Sequence, residues 1–167
     1  MWSTRPETPS DVAAIHAITV AAFPTADEAD LVDALRADPA AWIDGLSLVT
    51  VDPTDTVVGH ALLTRCHVDG TPALALAPCS VHPTHQRTGA GTAAIQACLA
   101  AARTQPENLV IVLGHADYYP RFGFTPASRL GIRAPFEVPD EAFLALVLDP
   151  ARPTPTGLVQ YPAPFGI

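Results

Sequence analysis

The stretch Ser80–Gly91, SVHPTHQRTGAG, joins an apolar run to a long alanine-rich segment and carries two glycines one residue apart. Glycine pairs at such a junction are typical of a bare helix start, a dinucleotide-binding fingerprint, or a cradle for another phosphate. The apolar spacing after it predicts a helix from Thr88 to about Arg103. Because the first N–H groups of a helix lack partners within the helix, this junction is a candidate binding site for an anion.

The dinucleotide interpretation fits the residue pattern but not the predicted strands around it. Gly89 to Ala94 matches the pattern GxGxxA, with Glu107 downstream. In that fold the first glycine directly follows a strand, whereas HPTHQRT separates Val81 from Gly89 here. The acidic residue should end the next strand, yet Glu107 precedes the apolar run LVIVL. Both mismatches argue against a dinucleotide site.

A phosphate cradle agrees better with the residue types. Glycine costs a helix about 1 kcal/mol relative to alanine, so two glycines in a first turn indicate that something approaches the backbone closely. Arg87 adds a fixed positive charge beside them. These residues indicate an anion site, with a helix start that binds nothing as the alternative.

Composition limits the class of protein. The chain has 167 residues, 49% of them hydrophobic, which predicts one compact domain over 1–167 with a proline-rich segment, 150–167, packed on it. The formal net charge is −8 and no lysine is present. A phosphate-loop lysine and a lysine Schiff base are therefore excluded, and the acidic balance argues against a nucleic-acid partner.

Cysteine usage and the terminus point to a cytoplasmic protein. The 3 cysteines form no CxxC pair, so neither a disulfide framework nor a zinc site is expected, and no metal is predicted. The polar start MWSTRPETPSD lacks a signal-peptide core, and no apolar run reaches the ~20 residues of a membrane span. We expect no membrane partner.

The order of elements predicts an α+β domain. Thr8–Asp11 fits a capping box that opens one helix, and Thr25–Glu28 repeats the pattern for a second. WIDGLSLVTVD, TVVGHALLTRCHV and ALALAPCSV then predict three strands, with a bulge or a local strand separation at Pro78. NLVIVL predicts a central strand, whereas EAFLALVLD fits strand or helix equally.

Two motifs in order resemble a known family. Gln86–Gly91, QRTGAG, resembles the acetyl-CoA motif Q/R-x-x-G-x-G/A of the Gcn5-related N-acetyltransferase (GNAT) family, and YYPRFGF resembles that family's tyrosine segment. The motifs flank the strand NLVIVL, as the family order requires. RPETPSDVAAI, EADLVDALR, VLGHADYYPRFGFTPAS and VPDEAFLALVL resemble one bacterial subgroup, often called YhbS-like. The resemblance spans nearly the whole chain.

The resemblance implies a mixed, mostly antiparallel sheet flanked by helices, with splayed central strands that admit acetyl-CoA. It implies that N–H groups from Arg87 to Thr92 hold the CoA pyrophosphate, and that the main chain of Pro78–Val81 holds the pantetheine arm. A main-chain N–H near Cys79 or Ser80 would stabilise the developing oxyanion. The implied acetyl-CoA-binding residues are Cys79, Ser80, Val81, Gln86, Arg87, Thr88, Gly89, Ala90, Gly91 and Thr92.

The resemblance also implies catalytic roles. Tyr119 is the expected acid that protonates the leaving sulfur; the alternative is that it only packs, and Tyr118 is its nearest competitor. Glu28 is expected to line the acceptor pocket, with a capping-box glutamate as the alternative. The strand positions where relatives often carry a base are alanines, so a water chain or Glu28 is left as the base.

The expected function is therefore an N-acyltransferase that moves acetyl from acetyl-CoA to a primary amine by direct attack. The alternative is a weak or inactive acyl-CoA-binding module or sensor. The sequence does not identify the amine, and a monomer and a homodimer both remain open.

Overall fold

The computed structural model describes residues 2–167 and contains three α-helices and nine strands within them. The helices are α1 Val12–Ala22, α2 Asp27–Arg36 and α3 Ala90–Ala102. The strands are β1 Ser3–Pro6, β2 Ser47–Val51, β3 Val57–Val68, β4 Thr71–Val81, β5 Leu109–Leu113, β6 Thr125–Pro126, β7 Ile132–Arg133, β8 Phe143–Val147 and β9 Gly157–Gln160.

The strands form one mixed sheet in the order β1-β2-β3-β4-β5-β8-β6, with β9 pairing both β3 and β7. All pairings are antiparallel except β4 with β5 and β7 with β9. The expected α+β class and the mostly antiparallel sheet are confirmed. EAFLALVLD forms β8, because its apolar residues are buried between β5 and β6.

Strand alternation places the core on both faces of the sheet. On one face, α3 packs through Ile95 and Leu99 onto Leu48 and Leu63. On the other face, α1 and α2 cover one half of the sheet. The turns and short strands of 127–138 and 157–161 cover the other half. The C-terminal segment thus packs on the sheet through β9.

The central strands separate where Pro78 was expected to disturb them. β4 pairs with β5 only at Leu74 with Val110 and at Ala75 with Ile111. The pairing register between β3 and β4 shifts by one residue just beyond this point, between Leu76 and Cys79 of β4. β5 continues against β8 as far as Leu113. A wedge therefore opens between the last residues of β4 and the end of β5.

Two local expectations turn out differently. β1 was not predicted, because STRP has no apolar alternation and is held by main-chain pairing to the edge of β2. The capping box at Thr8–Asp11 forms, but Ala26 occupies the cap position of α2 and no side chain caps it.

None of the helices within residues 2–167 is both long and apolar enough to cross a bilayer.

Asp11 fixes the N-terminal segment through hydrogen bonds of its carboxylate. Its carboxylate accepts Arg5 Nη1 at 2.6 Å and the Thr8 main-chain N–H at 2.7 Å, and the residue is 5% exposed. The hydrogen bond from Arg5 is the main reason that the pKa of Asp11 is lowered to about 2. Because the folded-state pKa is depressed, this stabilisation is present above about pH 4 and is lost as pH falls through about 2.

We expect Asp11→Asn to lower the free energy of unfolding by about 1–2 kcal/mol at pH 7, measured by urea denaturation. The variant should also lose less stability than the wild type between pH 4 and pH 2. Asp55→Asn is the matched control, since Asp55 also binds Arg5 but its side chain is 71% exposed. Equal destabilisation by both substitutions would contradict this assignment.

Candidate functional site

The loop between β4 and α3 has a backbone shape suited to an anion. Arg87 and Gly89 both adopt left-handed conformations, with φ of 63° and 87°. The N–H groups of such a loop turn toward one side, and the first turn of α3 adds its own unpaired N–H groups and its positive dipole end. A non-glycine residue in this region costs about 1–2 kcal/mol, so the conformation of Arg87 is imposed by its surroundings.

Tertiary contacts hold this loop in place. The Trp2 indole Nε1–H donates to the Thr88 carbonyl at 2.9 Å, and the Trp2 ring lies 5.6 Å from the His85 ring. Thr88 Oγ1 donates to the His85 carbonyl, and Gln86 Nε2 donates to the Val81 carbonyl at 3.3 Å. These donors bind carbonyl groups of the loop, which leaves its N–H face available to a ligand.

The second glycine of the pair permits close packing. A Cβ on Gly91 would come within 3.0 Å of Val81 Cγ2, so the start of α3 lies directly against the end of β4. On its other side, α3 is tied to the sheet by Thr50 Oγ1, which donates to the Ala90 carbonyl at 2.8 Å. The helix start is therefore fixed relative to the open edge of β4.

The loop, the wedge and a tyrosine turn enclose one cleft. It has a volume of about 500 Å³. The residues that line and define this cleft are Ala22, Phe23, Cys79, Ser80, Val81, Gln86, Arg87, Gly91, Ile95, His115, Tyr118 and Tyr119. The structure thus brings together residues from β4, the loop, α3, the turn after β5 and the end of α1.

The bulge in β4 aims Cys79 into the cleft. Ala61 pairs with Cys79 and Leu63 with Leu76, so β4 contributes one extra residue at this point. The extra residue reverses the alternation, which places Cys79 on the α3 face. Ser80 points the opposite way, and its Oγ lies 3.0 Å from Thr19 Oγ1 of α1.

Tyr119 lies on a 3-10 turn, Tyr119–Phe122, and its phenol faces the Cys79 thiol. A Cβ on Gly114 would overlap its ring, so glycine is required there for the ring to take this position. Burial, with a smaller contribution from Cys79, raises the pKa of Tyr119 above its ordinary value. Burial also raises the pKa of Cys79 to about 12. Both groups therefore keep their protons at neutral pH, and Tyr119 can act as a proton donor.

Tyr118 is bound differently from its neighbour. Its Oη lies 2.8 Å from Thr92 Oγ1, which connects the tyrosine turn to the first turn of α3. The Arg121 guanidinium carbon lies 4.3 Å from the centre of the Tyr118 ring, and Arg121 Nε donates to the Tyr118 carbonyl at 2.8 Å. Tyr118 therefore braces the turn, whereas the phenol of Tyr119 points at the widened end of β4.

Other predicted residues lie around the cleft or outside it. Thr88, Gly89, Ala90 and Thr92 belong to the loop and the first turn of α3, next to the lining residues. Glu28 does not line the cleft. It lies with Asp27, Leu31, Pro164 and Phe165 around a separate depression, and its Oε2 is buried without a hydrogen-bond partner.

Sequence reasoning missed Trp2, Phe23, Ile95 and His115. Trp2 precedes the loop it supports by 86 residues, and no local pattern signals such a contact. Phe23 lines the cleft only because α1 ends beside β4. His115 had a weak signal, since it stands between the predicted central strand and the tyrosine segment.

A histidine and two acidic side chains also meet away from the cleft. The ligand-type atoms of His16, Asp30 and Asp33 lie within 4.8 Å of one another on α1 and α2. Asp33 accepts Arg36 Nη1 at 3.1 Å and lies 2.8 Å from His16 Nδ1. These contacts describe an ion-pair cluster between the two helices.

Comparisons with known proteins agree with this geometry. The curated Escherichia coli (strain K12) protein "Uncharacterized N-acetyltransferase YjhQ" is 39% identical over 137 residues, which are 79% of this chain and 75% of that protein. The structure of the GNAT family N-acetyltransferase YhbS from Escherichia coli in complex with CoA superposes with a TM-score of 0.90 at 27% identity, covering 99% of this chain and 92% of that one.

A GNAT family acetyltransferase from Brucella melitensis in complex with acetyl-CoA gives a TM-score of 0.79 at 31% identity, covering 99% of this chain and 98% of that one. The sequence model described as "Acetyltransferase (GNAT) family" matches residues 9–124, which span the two N-terminal helices, the central strands, α3 and the tyrosine turn. The chain therefore belongs to the GNAT family of acetyltransferases.

Proposed function

We propose that this chain transfers the acetyl group of acetyl-CoA to a primary amine by direct attack of the amine on the thioester. The observation that carries this proposal is that the loop 86–91 and the protonated Tyr119 open onto one cleft. The CoA and acetyl-CoA complexes of similar proteins support the same donor. When bound, acetyl-CoA supplies an activated acyl group.

The residues present fit this donor. The N–H groups from Arg87 to Thr92, with the Arg87 side chain, are suited to hold the pyrophosphate. The main chain of Cys79, Ser80 and Val81 lies beyond the last β4–β5 pair, so its polar groups on that side can bind the pantetheine amides. A main-chain N–H near Cys79 or Ser80 would stabilise negative charge on the thioester oxygen.

Tyr119 is the proton donor in this proposal. The amine nitrogen bonds to the acyl carbon and loses a proton as the amide forms, the carbon–sulfur bond breaks, and Tyr119 Oη–H gives its proton to the departing sulfur. The buried setting keeps the phenol protonated until that charge develops. The space left by Gly114 and the neighbouring rings of Tyr118 and Phe124 fix the ring in position.

The test is release of CoA thiol from acetyl-CoA with a panel of amines: 2-phenylethylamine, putrescine, an amino acid and a short peptide. Amine-dependent thiol release with a matching acetylated product supports the proposal.

A second candidate, an acyl-CoA-binding module without turnover, is favoured by one observation: among residues 2–167, neither aspartate nor glutamate lines the cleft. Tight acetyl-CoA binding without amine-dependent release would select that candidate. Location in the cytoplasm, a single domain and the monomer or dimer state stay predictions.

We expect Tyr119→Phe to lower kcat about 10²-fold and to leave the acetyl-CoA Kd within twofold of the wild type, because only the transferable proton is removed. Steady-state thiol release and calorimetric titration of acetyl-CoA measure the two quantities. Tyr161→Phe is the control, since Tyr161 is also a largely buried phenol with a raised pKa but packs against the C-terminal half of the sheet. An unchanged kcat in Tyr119→Phe removes the acid role.

We expect Gly89→Ala to weaken acetyl-CoA binding about tenfold, because a Cβ at φ 87° strains the loop by roughly 1–2 kcal/mol and turns its N–H groups away. The kcat at saturating acetyl-CoA should change little. Gly45→Ala is the matched control: Gly45 has φ 88°, has no atom within 4 Å of an added Cβ, and does not line the cleft. Equal effects of both substitutions on Kd would contradict a pyrophosphate site in this loop.

A further inference from the structure

Acyl transfer to an amine needs a proton acceptor as well as a donor. An aliphatic amine arrives protonated at neutral pH and attacks only after losing that proton. The titratable side chains that line the cleft are Cys79, Arg87, His115, Tyr118 and Tyr119. Glu28, the carboxylate expected from the sequence, lies at a separate depression. Among the side chains that line the cleft, these five groups are the titratable candidates for the acceptor.

Four of the five cannot accept a proton near neutral pH. Burial raises the pKa of Cys79 to about 12 and raises that of Tyr119 as well, so both stay protonated. A guanidinium such as that of Arg87 offers donors and no acceptor. The hydroxyl of Tyr118 is occupied by a hydrogen bond with Thr92 Oγ1. His115 is left.

The backbone places His115 on the same turn as the proposed proton donor. Its carbonyl accepts the N–H of Tyr118 at 3.1 Å and the N–H of Tyr119 at 3.3 Å. The N–H of Gly114 donates to the Ala142 carbonyl at 2.9 Å, which ties the start of the turn to the sheet. The side chain of His115 is exposed and lines the cleft, so its ring nitrogens are accessible to an amine in the cleft and to solvent.

We propose that His115 is the general base that takes the proton from the acceptor amine, a role that rests on the proposed acyl transfer. The ammonium proton passes to a ring nitrogen of His115 and from there to solvent. The neutral amine then attacks, and Tyr119 gives its proton to the sulfur. The second N–H proton, released as the amide forms, restores the phenol of Tyr119. The balance is one ammonium ion and one thioester converted to one amide, one thiol and one proton released to solvent.

Charged side chains lie on the elements next to His115. Arg87 lies on the loop that lines the cleft together with His115. Asp117 follows on the same turn, and Asp140 and Glu141 lie on the segment next to Gly114; all three are exposed. Imidazole is the side chain most often used as a proton acceptor in catalysis, as a base for this reaction requires.

The experiment compares pH–rate profiles from pH 5 to 9 for the wild type and His115→Gln, using acetyl-CoA and the amine of the panel that the wild type acetylates fastest. We expect His115→Gln to lower kcat about 10²-fold at pH 7 and to change the shape of the pH–rate profile, because the general base is removed. The acetyl-CoA Kd should stay within twofold, which also shows that the variant is folded. Added imidazole should restore part of the rate.

His67→Gln is the control, because His67 pairs with Pro72 and Gln160 at the far end of β3 and should leave the profile unchanged. A wild-type profile in His115→Gln, or a lower kcat with an unaltered profile and no rescue by imidazole, overturns the base role. Failure of the wild type to release thiol with any amine overturns acyl transfer itself, and the base role with it. The two failures are thus distinguished by the wild-type measurement alone.

Discussion

The separation of β4 from β5 is the constraint on which the rest of the site depends. The strands pair only at Leu74 with Val110 and at Ala75 with Ile111, and the bulge against β3 follows at once. Main-chain groups on the open side of β4 then need other partners, since buried backbone polar groups are costly when unpaired. An extended ligand that carries amides can supply those partners. The same bulge turns Cys79 toward the α3 face, where it meets Tyr119.

The helix start is positioned by the sheet as well as by its own sequence. Thr50 holds the Ala90 carbonyl, and Gly91 lets the helix approach Val81 without a side chain between them. Trp2 fixes the loop from the N-terminal side through the Thr88 carbonyl. The positive end of α3 therefore lies beside the open edge of β4. The loop, the open edge of β4 and Tyr119 line one cleft because these elements are rigidly joined.

Local sequence patterns were sufficient for much of the fold and part of the site. The helix after the glycine pair, the central strand and the disturbance at Pro78 all follow from spacing and from residues with special backbone preferences. β1 could not be predicted, because its pairing with β2 uses main-chain groups that every residue has. Glu28 illustrates the same limit at the site: the family resemblance implied a place at the acceptor pocket, whereas Glu28 lies at a depression separate from the cleft.

The sequence by itself determined the order of helices and strands and the composition of the glycine loop, because hydrophobic period and backbone preference act between near neighbours. It also determined the family, through two motifs that flank one strand. Only the tertiary structure decided which side chains face one another across the cleft. Cys79 lines the cleft with Tyr119 because a bulge reverses strand alternation, and His115 lines it because the turn after β5 folds toward the end of β4. Such contacts depend on packing between distant segments, which local patterns do not encode.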